Sequence, residues 1–115
     1  MRREQRLTQG REFAAVYRRG KPFRSDLLVL RAVRNERPVS RFGFTTARAL
    51  GTAVKRNRLR RRLREAIRSL PVAQGWDVVL NGRRGAAEAD YWRLRAQVSE
   101  LMGRAGVLEE GASTT

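Results

Sequence analysis

The sequence predicts an α+β fold, a single-domain α/β sandwich in which a small sheet carries three helices, and three observations point to it. Apolar residues recur at helical spacing in three separate stretches. Between them lie runs of strand length, either alternating or continuously apolar. The chain is 115 residues long, enough for one core and too short for two. The order helix, two strands, helix, strand, helix is that of helices packed on one sheet. No internal repeat or linker divides the chain, so one domain is assigned to 1–115. Its ordered core is expected at about 7–105, with a loose tail over 106–115.

The first helix is expected from Thr8 to Arg19, with Thr8 as its cap and Gly20 as a left-handed stop. Arg11 at the third helical position offers no capping box. Phe13, Val16 and Tyr17 share one face through their three- and four-residue spacing. Pro22 changes the chain direction, and a short extra strand fits around Phe23. DLLVLRAV, 26–33, has little alternation and reads as a largely buried strand. Asn35 to Pro38 form a turn.

RFGFTTAR, 41–48, alternates Phe42, Phe44 and Thr46 against Gly43 and Thr45, which is a strand pattern. Gly43 leaves one place on its face without a side chain, so another group can approach closely. After Gly51, Thr52 caps a helix expected to reach Leu70 and to be stopped by Pro71 and Gly75. WDVVLNG, 76–82, is a third strand. A last helix over 87–104 puts Tyr91, Leu94, Val98 and Leu101 on one stripe and ends near Gly103 and Gly106.

Composition restricts the function. The 26 Lys and Arg against 11 Asp and Glu leave a net charge of +15, a self-repulsion that a polyanion relieves. Nucleic acid is the expected partner, ahead of an acidic membrane surface. With no Cys and no His, there is no thiolate nucleophile, no imidazole base, no disulfide and none of the usual zinc ligands. The basic start MRREQRLTQGREF is not followed by an apolar stretch of signal-peptide length. The longest apolar run, LLVL at 27–30, cannot span a bilayer. A soluble cytoplasmic protein, with neither a membrane nor a small-molecule substrate as partner, is expected.

The charge is concentrated in KRNRLRRRLRE, 55–65, with seven cations in its first ten positions. On a helix, Leu59, Leu63, Ala66, Ile67 and Leu70 occupy the arc packed on the sheet. Asn57, Arg60, Arg61, Arg64 and Arg68 fall on one flank, and Lys55, Arg58 and Arg62 on the other. Arg56 lies near the edge of the apolar arc.

A charged face often does no more than keep a helix soluble, but two features oppose that reading here. Arg56, Arg60 and Arg64 repel at four-residue spacing, as do Arg58 and Arg62, and Glu65 is the only acid between residues 37 and 76. Lys55, Arg56 and Arg58 also sit near the helix N-terminus, where the macrodipole disfavours cations. Both features cost stability unless phosphates occupy the site. Arginine suits phosphate well, because its planar fork forms two parallel hydrogen bonds and stacks on bases.

These residues resemble a known family. ALGTAVKRNRLRRRLRE, 49–65, is similar to the RNR signature of the protein subunit of bacterial ribonuclease P. FAAVYRRG at 13–20 resembles that family's first helix, FGFTTAR at 42–48 the strand before the RNR helix, and GRRGAAEADYWRLR at 82–95 the lead-in to the last helix. The segments keep their expected order over residues 7–105.

The resemblance implies a fold of the ribosomal-protein-S5-domain-2-like type, with the RNR helix inside a left-handed β-α-β crossover. Such crossovers are right-handed in about 98% of cases. It implies a catalytic ribonuclease P RNA that removes the 5′ leader of precursor tRNA with Mg²⁺ bound by the RNA, and a protein that binds both RNAs. Arg56, Asn57, Arg58, Arg60, Arg61 and Arg64 match the signature and are expected to meet the catalytic RNA. Lys55 and Arg68 complete that set. Phe13 and Tyr17 match an aromatic pair facing the leader cleft, with Arg48 beside them. On the residues alone, ordinary core is the competing reading for both rings, and Phe42 and Phe44 read as core.

Two positions depart from the family pattern. Arg48 and Ala49 stand where members often carry a lysine pair, and Arg31 stands where relatives can carry an aromatic residue. The alternative function is a basic RNA-scaffolding protein of ribosomal type. A DNA-reading helix needs varied base-contacting side chains, which a nearly all-arginine helix lacks. A protein-only nuclease needs clustered carboxylates, and the acids here are scattered.

Salt tests the electrostatic reading. Affinity for RNA should fall steeply with ionic strength, and Arg60→Ala or Arg64→Ala should each lower the slope of log K against log[salt] by about 1. A flat salt response in the unsubstituted protein would remove the basis for the assignment.

Overall fold

The structure is a computed structural model and describes residues 2–109. Helix α1 spans Gly10–Arg19, strand β1 Phe23–Arg24, β2 Leu28–Arg34 and β3 Arg41–Thr45. Helix α2 spans Ala53–Arg68, strand β4 Trp76–Gly82 and helix α3 Tyr91–Ala105. Short 3-10 turns at Arg3–Gln5, Arg48–Leu50 and Ala86–Glu88 join them.

The sheet order is β1-β2-β4-β3. The β1–β2 and β2–β4 pairs are antiparallel, and β3 runs parallel to β4 with Gly43 opposite Val79 and Thr45 opposite Asn81. Helix α2 is therefore the crossover between two parallel neighbours. This mixed four-stranded sheet with three helices is the single-domain sandwich expected from the sequence.

Strand alternation sorts the side chains onto two faces. Leu28, Leu30, Phe42, Val78 and Leu80 pack against Leu59, Leu63 and Ile67 of α2 and Leu94, Val98 and Leu101 of α3. The opposite face is smaller: Val79 packs with Leu7 and Val16, and Phe13 and Val33 close the cluster. Helix α1 lies on that second face. The predicted apolar arc of α2 is buried at Leu59, Leu63, Ala66 and Ile67, whereas Leu70 is half-buried.

Several boundaries differ from the sequence reading, each for a local reason. Helix α1 begins at Gly10, not at a Thr8 cap, because Glu12 reaches back and its Oε1 accepts from the backbone N–H groups of Thr8 and Gln9. That carboxylate makes the capping bond that Arg11 cannot. Gly20 is not left-handed; it has φ −88. A Cβ there would lie 2.7 Å from the Val16 carbonyl oxygen, so the position needs glycine for space. Strand β3 stops at Thr45, where pairing to β4 ends, and Arg48 leaves the sheet on a 3-10 turn.

Helix α2 is capped by Thr52, whose hydroxyl accepts from the Lys55 N–H at 3.2 Å. Helix α3 starts later than expected because Asp90 caps it, accepting from the Arg93 N–H at 2.9 Å. Gly106 adopts the left-handed conformation at its end, with φ 76.

Order extends beyond 7–105 at both ends. Arg6 bridges to Phe42 beside β3, and Leu7 N–H donates to the Phe42 carbonyl at 2.9 Å. Residues 106–109, assigned to the loose tail, instead fold back. Val107 is fully buried, Leu108 bridges to Val72, and Glu109 N–H donates to the Pro71 carbonyl. Burial of Val107 and Leu108 against the main core holds that segment. The rest of the expected tail, 110–115, lies outside the described residues. Among the described residues no helix is long and apolar enough to cross a membrane.

One polar cluster ties α1 to the sheet. Arg41 donates from Nε and Nη2 to the two carboxylate oxygens of Asp77 at 2.9 and 2.7 Å, and from Nη1 to Glu12 Oε2 at 2.6 Å. Asn35 Nδ2 donates to Asp77 Oδ1 at 2.9 Å. Partial burial pushes the Glu12 carboxyl up, but the N–H groups of Gln9 and Thr8 and the Arg41 guanidinium together hold it below its ordinary value of 4.5.

A folded value below the unfolded one makes Glu12 stabilising above pH 4.5, and the contribution fades as pH falls through the folded value. Glu12→Gln should therefore remove part of the loss of stability on acidification between roughly pH 5 and 3. Thermal unfolding across that range checks it, with an unaltered acid limb as the contrary result.

Candidate nucleic-acid interface

Helix α2 presents its two charged flanks to different neighbours. Arg64 reaches the outer edge of β3, where a void of about 150 Å³ is lined by Arg6, Leu7, Phe13, Gly43 and Phe44 along with it. Arg68 borders a larger void of about 280 Å³ farther along the same edge, with Ser40 and Phe42. On the other flank, Arg62 turns toward α3 and its Nη1 donates to the Ala89 carbonyl at 2.7 Å. Arg62 is thereby held in the fold.

The other cations of α2 are mostly uncompensated. Arg60 Nη1 donates to Asn57 Oδ1, so Asn57 steers a guanidinium rather than neutralising it. Arg68 pairs with Glu65 at 2.9 Å, and both side chains are more than half exposed. Such a pair contributes little. Burial, and then repulsion from Arg6 and Arg60, push the Arg64 guanidinium below its ordinary arginine value. The Nε atoms of Arg56 and Arg58 are buried without a partner, and Lys55 and Arg61 are exposed. The group can hydrogen-bond and neutralise successive phosphates, which would remove the repulsion it now carries.

The α1 face forms the second part of the site. A Cβ on Gly43 would lie 2.5 Å from Cε1 and Cζ of Phe13, so the ring rests directly on the backbone of β3. Phe13 is half-buried and packs beside the small Leu7, Val16 and Val79 cluster. Tyr17, one turn along, is 40% exposed. Its hydroxyl meets Thr45 Oγ1 and Asn81 Nδ2, and Asn81 Nδ2 also donates to Thr45 Oγ1. The Arg31 guanidinium lies over the Tyr17 ring, 5.0 Å from its centroid, and donates to Asn81 Oδ1 at 3.4 Å.

The predicted residues thus fall into two groups joined at β3. Phe13 and Arg64 line one void, which brings α1's aromatic face and α2's charged flank to the same strand edge. Phe42 is buried and Phe44 half-buried in the main core, although both reach that void as well. Arg48 is exposed on the turn three residues past Thr45. Its side chain has no hydrogen bond or ion pair among the described residues and is not drawn into the aromatic group.

Arg6, Arg31, Thr45 and Asn81 were not singled out as site residues. The basic start of the chain gave a signal for Arg6. The strand pairing that places Asn81 opposite Thr45 has no counterpart in local sequence.

Comparison with known proteins decides the family. A family model described as Ribonuclease P matches residues 1–106. The ribonuclease P protein component of Roseiflexus castenholzii is 43% identical, with 100% of this chain and 97% of that protein covered. The chain belongs to the ribonuclease P protein family. The ribonuclease P protein component of Dehalococcoides mccartyi is 36% identical over 100% of this chain and 96% of its own.

Among solved structures, the ribonuclease P protein from Thermotoga maritima superposes with a TM-score of 0.79 at 30% identity, covering 86% of this chain and 96% of that one. A ribonuclease P protein from Staphylococcus aureus reaches 0.82 at 21% identity over 91% and 98%, which speaks for the fold. The chain is accordingly a ribonuclease P protein component, an accessory subunit of that endoribonuclease in tRNA processing.

Gly43 gives the site a direct test. Gly43→Ala should lower stability by about 1–3 kcal/mol as the Phe13 ring is forced off β3. In a Phe13→Ala background the same substitution should cost much less. Equal costs in both backgrounds, measured by urea denaturation, would show that the ring is not what the missing side chain accommodates.

Proposed function

We propose that α2 binds the catalytic RNA of ribonuclease P, while the face formed by α1 and the sheet takes the 5′ leader of precursor tRNA. The observation that carries this reading is the meeting of the two groups at the outer edge of β3, where Phe13 and Arg64 line one void. A protein serving two RNAs at once needs neighbouring but chemically different surfaces. Uncompensated guanidiniums suit a folded backbone, which is bound through its phosphates. An exposed Tyr17 ring beside small polar groups, with Phe13 half-buried next to it, suits unpaired nucleotides, which stack without regard to sequence.

Arg31 alters the leader surface in this chain. Its guanidinium lies over the Tyr17 ring, so one side of that ring offers a phosphate or base contact where relatives can place an aromatic residue. Tyr17 stays oriented by Thr45 and Asn81. Arg48, on the turn beyond Thr45, supplies a cation at the end of the same strand.

The protein supplies screening and shape, and the chemical step belongs to the RNA. The chain has no His or Cys, and among the described residues no three acidic side chains converge into a metal cage. In this reading the Mg²⁺ ion is assigned to the RNA. Neutralising phosphates where two RNAs meet strengthens substrate binding and lowers the Mg²⁺ concentration needed to offset the same repulsion.

Reconstitution tests the assignment. Added to catalytic ribonuclease P RNA at low Mg²⁺, the protein should restore formation of mature tRNA 5′ ends, and Arg60→Ala/Arg64→Ala should not. Phe13→Ala or Tyr17→Ala should weaken precursor tRNA by roughly fivefold to a hundredfold while leaving mature tRNA unchanged. Equal losses for both tRNAs would point instead to a scaffold that does not touch the leader.

A further inference from the structure

Trp92 is 73% exposed on the first turn of α3, a bulky ring left in water where no local rule of helix formation asks for one. It is also propped in place. Tyr91 packs against the main core and meets Trp92 edge to face, with ring centroids 5.0 Å apart and planes at 76°. A ring buttressed by an anchored neighbour loses less freedom when a partner binds than one on a free stem.

Its surroundings are continuous with α2. Ala89, three residues before Trp92, accepts from Arg62, and Arg58 lies one turn earlier on the same flank with its Nε unpartnered. Arg95, one turn farther along α3, donates from Nε to Ser69 Oγ at the end of α2, at 2.7 Å. Arg62 and Arg95 thus tie α2 to the lead-in and the first turns of α3, before and after Trp92 in the chain. Of the acids nearby, Asp90 has its carboxylate engaged in capping α3, Asp26 faces Arg93 at 3.9 Å, and Glu88 stands exposed.

We propose that Trp92 is a base-stacking anchor for an unpaired nucleotide of the catalytic RNA lying against α2. This inference rests on the assignment of that RNA to α2 and extends its footprint across the seam to α3. An indole is a good stacking platform for any base, and Arg58, whose Nε has no partner, is the cation of that flank left to meet an adjoining phosphate. A second copy of the chain is the less favourable occupant, because two bodies each carrying +15 repel across a face that already bears arginines.

Equilibrium binding of the full chain to catalytic ribonuclease P RNA, measured at several salt concentrations, tests this. Trp92→Ala should weaken binding about tenfold at every salt concentration and leave the salt slope unchanged, because stacking releases no counterions. Trp92→Phe should retain most of the affinity. In a Trp76→Phe protein, where Trp92 is the remaining indole, RNA should quench its fluorescence. The exposed position lets Trp92→Ala keep its fold, which circular dichroism verifies.

Wild-type affinity in Trp92→Ala, alongside weakened binding in Arg60→Ala/Arg64→Ala, would overturn the anchor and leave the α2 assignment standing. Unchanged binding in both would overturn both. Concentration-dependent self-association of the free protein that Trp92→Ala abolishes, with RNA affinity intact, would assign the surface to a second copy instead.

Discussion

Arg41 holds the architecture of the site together. Its guanidinium bridges Asp77 of β4 and Glu12 of α1, joining the sheet to the helix that lies across its smaller face. All three side chains are at least four-fifths buried. In such surroundings a guanidinium is tolerated only with its donors occupied, and the position of α1 supplies the second carboxylate. Glu12 serves two purposes at once, ordering the start of α1 through backbone N–H groups and fixing its angle to the sheet through Arg41. The orientation of Phe13 and Tyr17 follows, because both project from the same ten-residue helix.

Charge elsewhere follows the opposite rule. Where Arg41 is neutralised by two acids, the arginines facing the β3 edge from α2 and from Arg6 have almost none. That contrast separates structural from functional cations better than count or exposure. Arg62 and Arg95 belong with Arg41, since each gives a hydrogen bond that ties helices or loops together. Arg64 belongs to the other class: burial first, and then crowding by Arg6 and Arg60, lowers its basicity. The folded protein thus carries unrelieved repulsion along one edge, and in the proposed function a phosphate backbone would relieve it.

Much of this was legible in the sequence. The apolar arc of α2, the limits of β4 and the cap at Thr52 follow from local spacing and chemistry, and the structure places them where that spacing put them. Gly43 announced a close approach, and the Phe13 ring is what approaches. Less legible were the starts of α1 and α3, each decided by a carboxylate that competes for backbone N–H groups, at Glu12 and Asp90. The segment 106–109 was misread because its polar and glycine neighbours hide the fact that Val107 and Leu108 have apolar surface to cover.

The sequence by itself determined what repeats along a few residues: which face of each helix is apolar, which stretches can pleat, and that α2 concentrates unopposed positive charge. Periodicity is a local property, set by three- and four-residue neighbours on a helix and by alternation on a strand. The tertiary structure alone decided what depends on sheet order. It brought Arg41 to partners 29 and 36 residues away, set Asn81 opposite Thr45, carried Arg6 to the edge of β3, and turned Arg62 inward while leaving Arg64 at the cleft. Those placements depend on how the strands pair, a choice made by burial of the whole apolar surface at once, and no short stretch of sequence contains it.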